Sequence, residues 1–142
     1  MENAKILIVD DEECMVGVFR RMLSKKGFKS ENIVSVENGE DAITIAEKSD
    51  FDIILMDIKM PGIGGLEALS AIRTMKKYKD VPILAVTGLT LSKDRKNCIE
   101  AGATEYISKP VFDEKAFIDN LFLKISANKN KPIKAFFEKN FR

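Results

Sequence analysis

Short apolar runs alternate with segments of helical period along the whole chain, and each pair reads as a strand followed by a helix. "KILIVD" has no polar alternation, so it reads as a strand buried on both faces. Met15, Val16, Phe19, Met22 and Leu23 then fall on one helical face, which ends at Gly27. "NIVSV" is a second, shorter strand, and Asn38-Gly39 opens a helix carrying Ala42, Ile43, Ile45 and Ala46. "FDIILMD" is the third strand, followed by a helix with the stripe Leu66, Leu69 and Ile72. "VPILAVTG" is the fourth, with Pro82 near its start, where a missing donor is tolerable. The segment from Ser92 to Glu100 is the weakest helix, since it offers only Cys98 and Ile99 for burial. "TEYIS" is a short fifth strand, and Asp113 caps a last helix through Ile125.

Five strand-helix repeats with continuous apolar strands predict an α/β fold: a parallel sheet covered on both faces by its crossover helices. The flavodoxin-like, doubly wound (βα)5 arrangement with strand order 2-1-3-4-5 fits this size. In such sheets ligands bind beyond the carboxyl ends of the strands, where the order reverses, here between the first and third strands.

Composition narrows the function. The 142 residues, 45% of them hydrophobic, suffice for one core and not for two ordinary domains. We expect a domain over residues 1–127 and a basic extension over 128–142, where five bases face one acid. The rest of the chain has eighteen bases and twenty-one acids, and the total of +1 argues against direct nucleic-acid binding. Asp10 interrupts the first apolar run and no run reaches membrane-spanning length, so we expect a cytoplasmic protein with no leader and no membrane span. Cys14 and Cys98 fall in helical patterns outside any CxxC arrangement and read as buried reduced thiols. Without His, a zinc site is not expected.

The polar residues at the strand ends are the chemical signal. Asp10 and Asp11 follow the first strand, Asp57 the third, Thr87 ends the fourth and Lys109 follows the fifth. Singly each has a bland reading: Asp11 as a helix cap, Thr87 bonded to a loop, Lys109 solvated. Together they collect at one sheet edge. Three converging carboxylates repel unless they share a cation, and an all-oxygen, His-free set suits a hard ion such as Mg²⁺. An ammonium and a hydroxyl beside it complete a cradle for a phosphoryl group, with Asp57 as nucleophile.

With these motifs, "VDDEE", "MDIKMPG", "VTG" and "SKP", residues 4 to 126 closely resemble the receiver domains of two-component response regulators, especially the single-domain chemotaxis type. The resemblance implies Asp57 as phosphoacceptor, Asp10 and Asp11 as the acidic pair, Thr87 as switch hydroxyl, Tyr106 as switch aromatic and Lys109 as phosphoryl-binding lysine. It implies Mg²⁺ held by Asp11, Asp57 and the Lys59 carbonyl, with Asp10 acting mainly through water, and a cis Lys109-Pro110 bond. Implied partners are a histidine kinase or phosphotransfer protein upstream and a target protein downstream. The protein would be a switch rather than an enzyme, monomeric or dimeric.

Two positions depart from the family pattern. Gly64 stands where Asp often caps the third helix, and Lys59 puts a cation near the acceptor. Two rival functions remain. A Mg²⁺-dependent phosphatase of the haloacid dehalogenase type also uses an aspartyl nucleophile, but its DxD pattern is broken here by Lys59. A scaffold without chemistry would not need the complete acceptor set. In the extension, Ile133, Phe136, Phe137 and Phe141 repeat at helical spacing after Pro132. That helix could fold back onto the wide apolar face of the last helix, dock on a partner or second copy, or meet a membrane surface.

Overall fold

In the computed structural model, residues 3–60, 62–88, 92–111 and 113–129 are described. Five strands form one parallel sheet: β1 (Ile6–Val9), β2 (Ile33–Val36), β3 (Ile53–Met56), β4 (Ile83–Thr87) and β5 (Glu105–Ser108), in the order β2-β1-β3-β4-β5. They alternate with α1 (Glu13–Lys25), α2 (Gly39–Lys48), α3 (Gly65–Thr74), α4 (Ser92–Ala101) and α5 (Glu114–Lys129). The flavodoxin-like reading of the sequence is the fold observed.

Alternation along the strands divides the core into two layers. Leu7, Val9, Ile54, Met56, Ile83 and Ala85 point toward α2, α3 and α4, joining Ala42, Ala46, Ala68, Leu69, Ile72 and Cys98. Ile6, Ile8, Ile53, Leu55, Leu84 and Val86 point the other way, onto Phe19, Met22 and Leu23 of α1 and Phe117, Ile118, Leu121 and Ile125 of α5. The three central strands are buried throughout because both faces are covered, while the edge strands β2 and β5 are only partly so. Burial of each large apolar side chain is worth about 1.5–3 kcal/mol, so these two layers carry the stability.

The helix starts follow the sequence signals. Asn38 accepts the Asp41 N–H at 2.8 Å and Asp113 accepts the Ala116 N–H at 3.0 Å. Cys98 is the only buried residue of α4, and Ile99 is 45% exposed, so this helix buries even less than expected. Cys14 departs from expectation too: it is exposed, one position off the α1 stripe, while Cys98 is buried. α5 continues four residues beyond Ile125, across the 127/128 boundary, and leaves Phe122 and Leu123 exposed. The amphipathic segment from Pro132 lies outside the described residues.

At the edge opposite the carboxyl ends of the strands, Arg73 ties three segments together. Its guanidinium donates to the carbonyls of Tyr78 (2.6 Å), Val81 (2.7 Å) and Gly102 (2.9 Å). These bonds fasten the end of α3 to the start of β4 and to the turn after α4.

Two glycines should respond oppositely to alanine. At Gly65 a Cβ would press on the Asp57 carbonyl and lie 2.5 Å from Ile58 Cα, both backbone, whereas at Gly17 it meets nothing within 4 Å. Gly65→Ala is expected to cost about 1–3 kcal/mol as an overpacked contact. Gly17→Ala, inside α1, should gain about 0.5–1 kcal/mol. Urea unfolding of both variants checks the pair; equal effects would show that α3 does not need this close approach.

Candidate phosphoryl acceptor site

Strand register brings the acidic residues together. Val9 and Met56 are partners across β1 and β3, so Asp10 and Asp57, the next residues, emerge side by side. The Asp57 N–H continues the ladder by donating to the Val9 carbonyl at 2.8 Å. On the other side Thr87 pairs with Ser108, and the Lys109 N–H donates to the Thr87 carbonyl at 2.9 Å. The Lys109-Pro110 bond is cis.

Lys109 then crosses the edge of the sheet. Its Nζ lies 2.7 Å from Asp10 Oδ2 and 3.2 Å from Asp57 Oδ2. It also lies 3.3 Å from Glu12 Oε1, an exposed carboxylate at the rim. Asp10 and Asp57 are buried at 2% and 5% exposure, and the lysine side chain at 9%, so these are charges largely removed from water. The other oxygens are also engaged: Asp10 Oδ1 accepts the Glu12 N–H at 2.9 Å and Asp57 Oδ1 accepts the Lys59 N–H at 3.1 Å.

The electrostatics follow from burial and pairing. Burial pushes the Asp10 carboxyl above the usual aspartate range, and the Lys109 ammonium only partly offsets this. Burial alone would lower the lysine, but its bonds to Asp10 and Asp57 outweigh it and hold the ammonium above its ordinary value. A second cation would relieve the remaining negative charge. Carboxylate oxygens of Asp10, Asp11 and Asp57 all lie within 4.8 Å of one another, and Asp11 is exposed. Asp11 is not the cap of α1, whose N-cap is Glu12 with no side-chain bond, so the bland reading of Asp11 fails. Two buried acids and one at the opening form an all-oxygen donor set that fits Mg²⁺.

Thr87 borders this cluster through Lys109, and Tyr106 lies further back along β5. Thr87 is fully buried, and its Oγ1 has no hydrogen-bond partner among the described residues. A buried unpaired hydroxyl is costly, and an oxygen-rich ligand at the strand ends would satisfy it. Tyr106 pairs with Ala85 in the β4–β5 register and packs its ring against the layer on the α4 side. Its hydroxyl is also unpartnered among the described residues; Ser108 is near enough to act on the phenol but outside hydrogen-bond geometry. The Lys59 side chain is exposed, and only its backbone touches the cluster. Glu12 escaped the sequence reading, although its place in "DDEE" was a signal.

The family profile of the response regulator receiver domain matches residues 6–121. The chain belongs to that family. It is 39% identical over 110 residues to the transcriptional regulatory protein YvrH of Bacillus subtilis, covering 78% of this chain and 44% of YvrH. The chain thus spans less than half the length of that relative. It is 30% identical over 106 residues to the polar-differentiation response regulator DivK of Brucella anthropi, covering 75% of this chain and 84% of DivK. Among solved structures, the receiver domain of the sensor histidine kinase PA1611 from Pseudomonas aeruginosa superposes with a TM-score of 0.77 at 33% identity. That match covers 87% of this receiver chain and 98% of the other, which has a magnesium ion coordinated in its active site cleft.

Lys109→Met should expose the cost of the buried acids. Without divalent cation near neutral pH, we expect a loss of about 3 kcal/mol, the scale for breaking a buried pair. The loss should shrink on acidification. Asp10 is already raised, so the folded state binds its proton more tightly than the unfolded chain; stability missing above the raised value returns as pH falls through it toward the ordinary one. Urea unfolding from about pH 7 down to about pH 4 reads this slope. A deficit independent of pH would contradict it.

Proposed function

We propose that this receiver domain is a phosphorylation-controlled switch that takes a phosphoryl group onto Asp57 from a phosphohistidine of a histidine kinase or phosphotransfer protein. The observation that carries the reading is Lys109 Nζ bridging Asp10 and Asp57 at neighbouring strand ends. An Asp57 oxygen attacks phosphorus, the P–O bond forms as the P–N bond breaks, and the donor imidazole leaves. Bound Mg²⁺ would neutralise charge developing on the transferred oxygens. Asp11, Asp57 and the Lys59 carbonyl would hold it, with Asp10 acting through water. Lys109 would turn from the carboxylates to a phosphoryl oxygen, and the unpartnered Thr87 hydroxyl would donate to another.

Movement of Thr87 gives the switch its readout. Tyr106, whose hydroxyl is already buried beside the α4-side layer, would settle further into the vacated space, and α4, held by the single buried side chain of Cys98, would shift at small cost. Output would pass to a target protein through the surface formed by α4, β5 and α5, where Ile99, Phe122 and Leu123 are exposed. We assign the receiver domain to residues 1–127, the basic extension to 128–142, and the protein to the cytoplasm; among the described residues no helix is long and apolar enough to cross a membrane.

Incubation with a small phosphodonor and Mg²⁺ tests the acceptor. Wild type should gain one phosphoryl mass and Asp57→Asn none, since an amide is not a competent nucleophile; label retained on the mutant would remove the assignment. Asp11→Ala should lose most Mg²⁺ affinity in an NMR titration and phosphorylate poorly. Hydrogen exchange with and without beryllofluoride tests the output: we expect changed protection in α4 and β5. Identical exchange would argue against this surface.

A further inference from the structure

The start of α3, like that of α1, has no side-chain cap. Its N-cap is Gly64, with no side-chain bond to the open N–H groups, whereas Asn38 and Asp113 cap α2 and α5. The preceding loop is held from outside. Glu40, in the first turn of α2, accepts the Ile63 N–H on Oε1 at 2.8 Å. Its carboxylate lies directly over Gly62, where a Cβ would sit 2.9 Å from Oε1 and 3.0 Å from Oε2; Gly62 adopts φ +78°, a conformation suited to glycine. Gly39, next to Glu40, permits the approach, since a Cβ there would lie 2.6 Å from Ile63 Cγ1 and 2.9 Å from the Ile63 carbonyl. The Ile63 bond favours the charged form of Glu40 and holds its carboxyl below the usual glutamate range, so the contact is a charge-assisted hydrogen bond.

This loop begins at the acceptor. The Lys59 N–H rests on Asp57 Oδ1 at 3.1 Å, and the Gly65 N–H closes back on the Ile58 carbonyl at 3.1 Å. The geometry points to Glu40 as a positioning residue for the acceptor site: through Ile63, the residue before the N-cap Gly64, it anchors the end of the segment that leads from Lys59 to α3 and thereby steadies the Lys59 backbone. This rests on the reading that Asp57 and the Lys59 carbonyl take up a divalent cation.

The test uses the full chain and Mg²⁺ alone, followed by amide shifts of Lys59 and Ile63, together with hydrogen exchange of Ile63. Glu40→Ala should weaken Mg²⁺ binding roughly tenfold, the low end for groups that orient a metal's ligands. Ile63 should exchange faster. Phosphorylation by a small phosphodonor should need correspondingly more Mg²⁺ but reach the same rate at saturation. Glu40→Gln, which keeps an acceptor, should retain most of the affinity. Adding Gly64→Asp to Glu40→Ala should restore it by capping α3 directly.

Unchanged affinity and Ile63 exchange in Glu40→Ala would overturn the assignment, as would equal losses in the Ala and Gln variants, which would mark a general charge effect. Wild type that binds no Mg²⁺ would instead sink the reading of Asp57 itself.

Discussion

One lysine holds the carboxyl edge of this sheet together. Asp10 and Asp57 are brought side by side by the parallel register of β1 and β3, and both are buried. Two unscreened carboxylates at that distance would oppose the pairing that places them, and Lys109 removes the conflict by reaching both. Its own placement depends on β5, whose register with β4 sets the residue after Ser108 beside Thr87. Strand order and ion pairing are therefore one constraint seen at two scales.

That arrangement also explains why the site is polar on top of an apolar layer. Every strand residue up to Val9 or Met56 is covered by helices, so a side chain meets polar surroundings only where the sheet ends. The carboxylates sit at the transition. Burial raises the cost of charging Asp10, pairing lowers it, and the balance leaves a net negative cluster open on the Asp11 side. Such a cluster attracts cations without being rigidly closed around one.

The fold and the gathering of charged residues at the strand ends were legible because their signals are local. Unbroken runs such as Ile6–Val9 and Ile53–Met56 announce strands buried on both faces, and a polar residue just after such a run must lie at the sheet edge. What stayed hidden depends on distant partners. An arginine in the last turn of a helix reads as a charge matched to the helix dipole, yet Arg73 bonds a carbonyl 29 residues away. Glu40 reads as a first-turn acid, and nothing near it in sequence reveals its contact with Ile63. Cys14 was misplaced for a simpler reason: a shift of one residue, about 100° around α1, separates it from the buried stripe.

The grip of Arg73 on Gly102 has a mechanical side. α4 has ten residues, and its C-terminal end is tethered through the Gly102 carbonyl and the buried Cys98, while among its described side chains none nearer Ser92 is buried. A helix of that length extends about 15 Å, so it acts as a lever with its fulcrum at the Arg73 end. A tilt of roughly 10° would carry the first turn about 2.6 Å while scarcely moving the fulcrum. The end of α4 that swings is thus the one nearest Thr87 in sequence, while the pivot is held by an arginine at the opposite edge of the sheet.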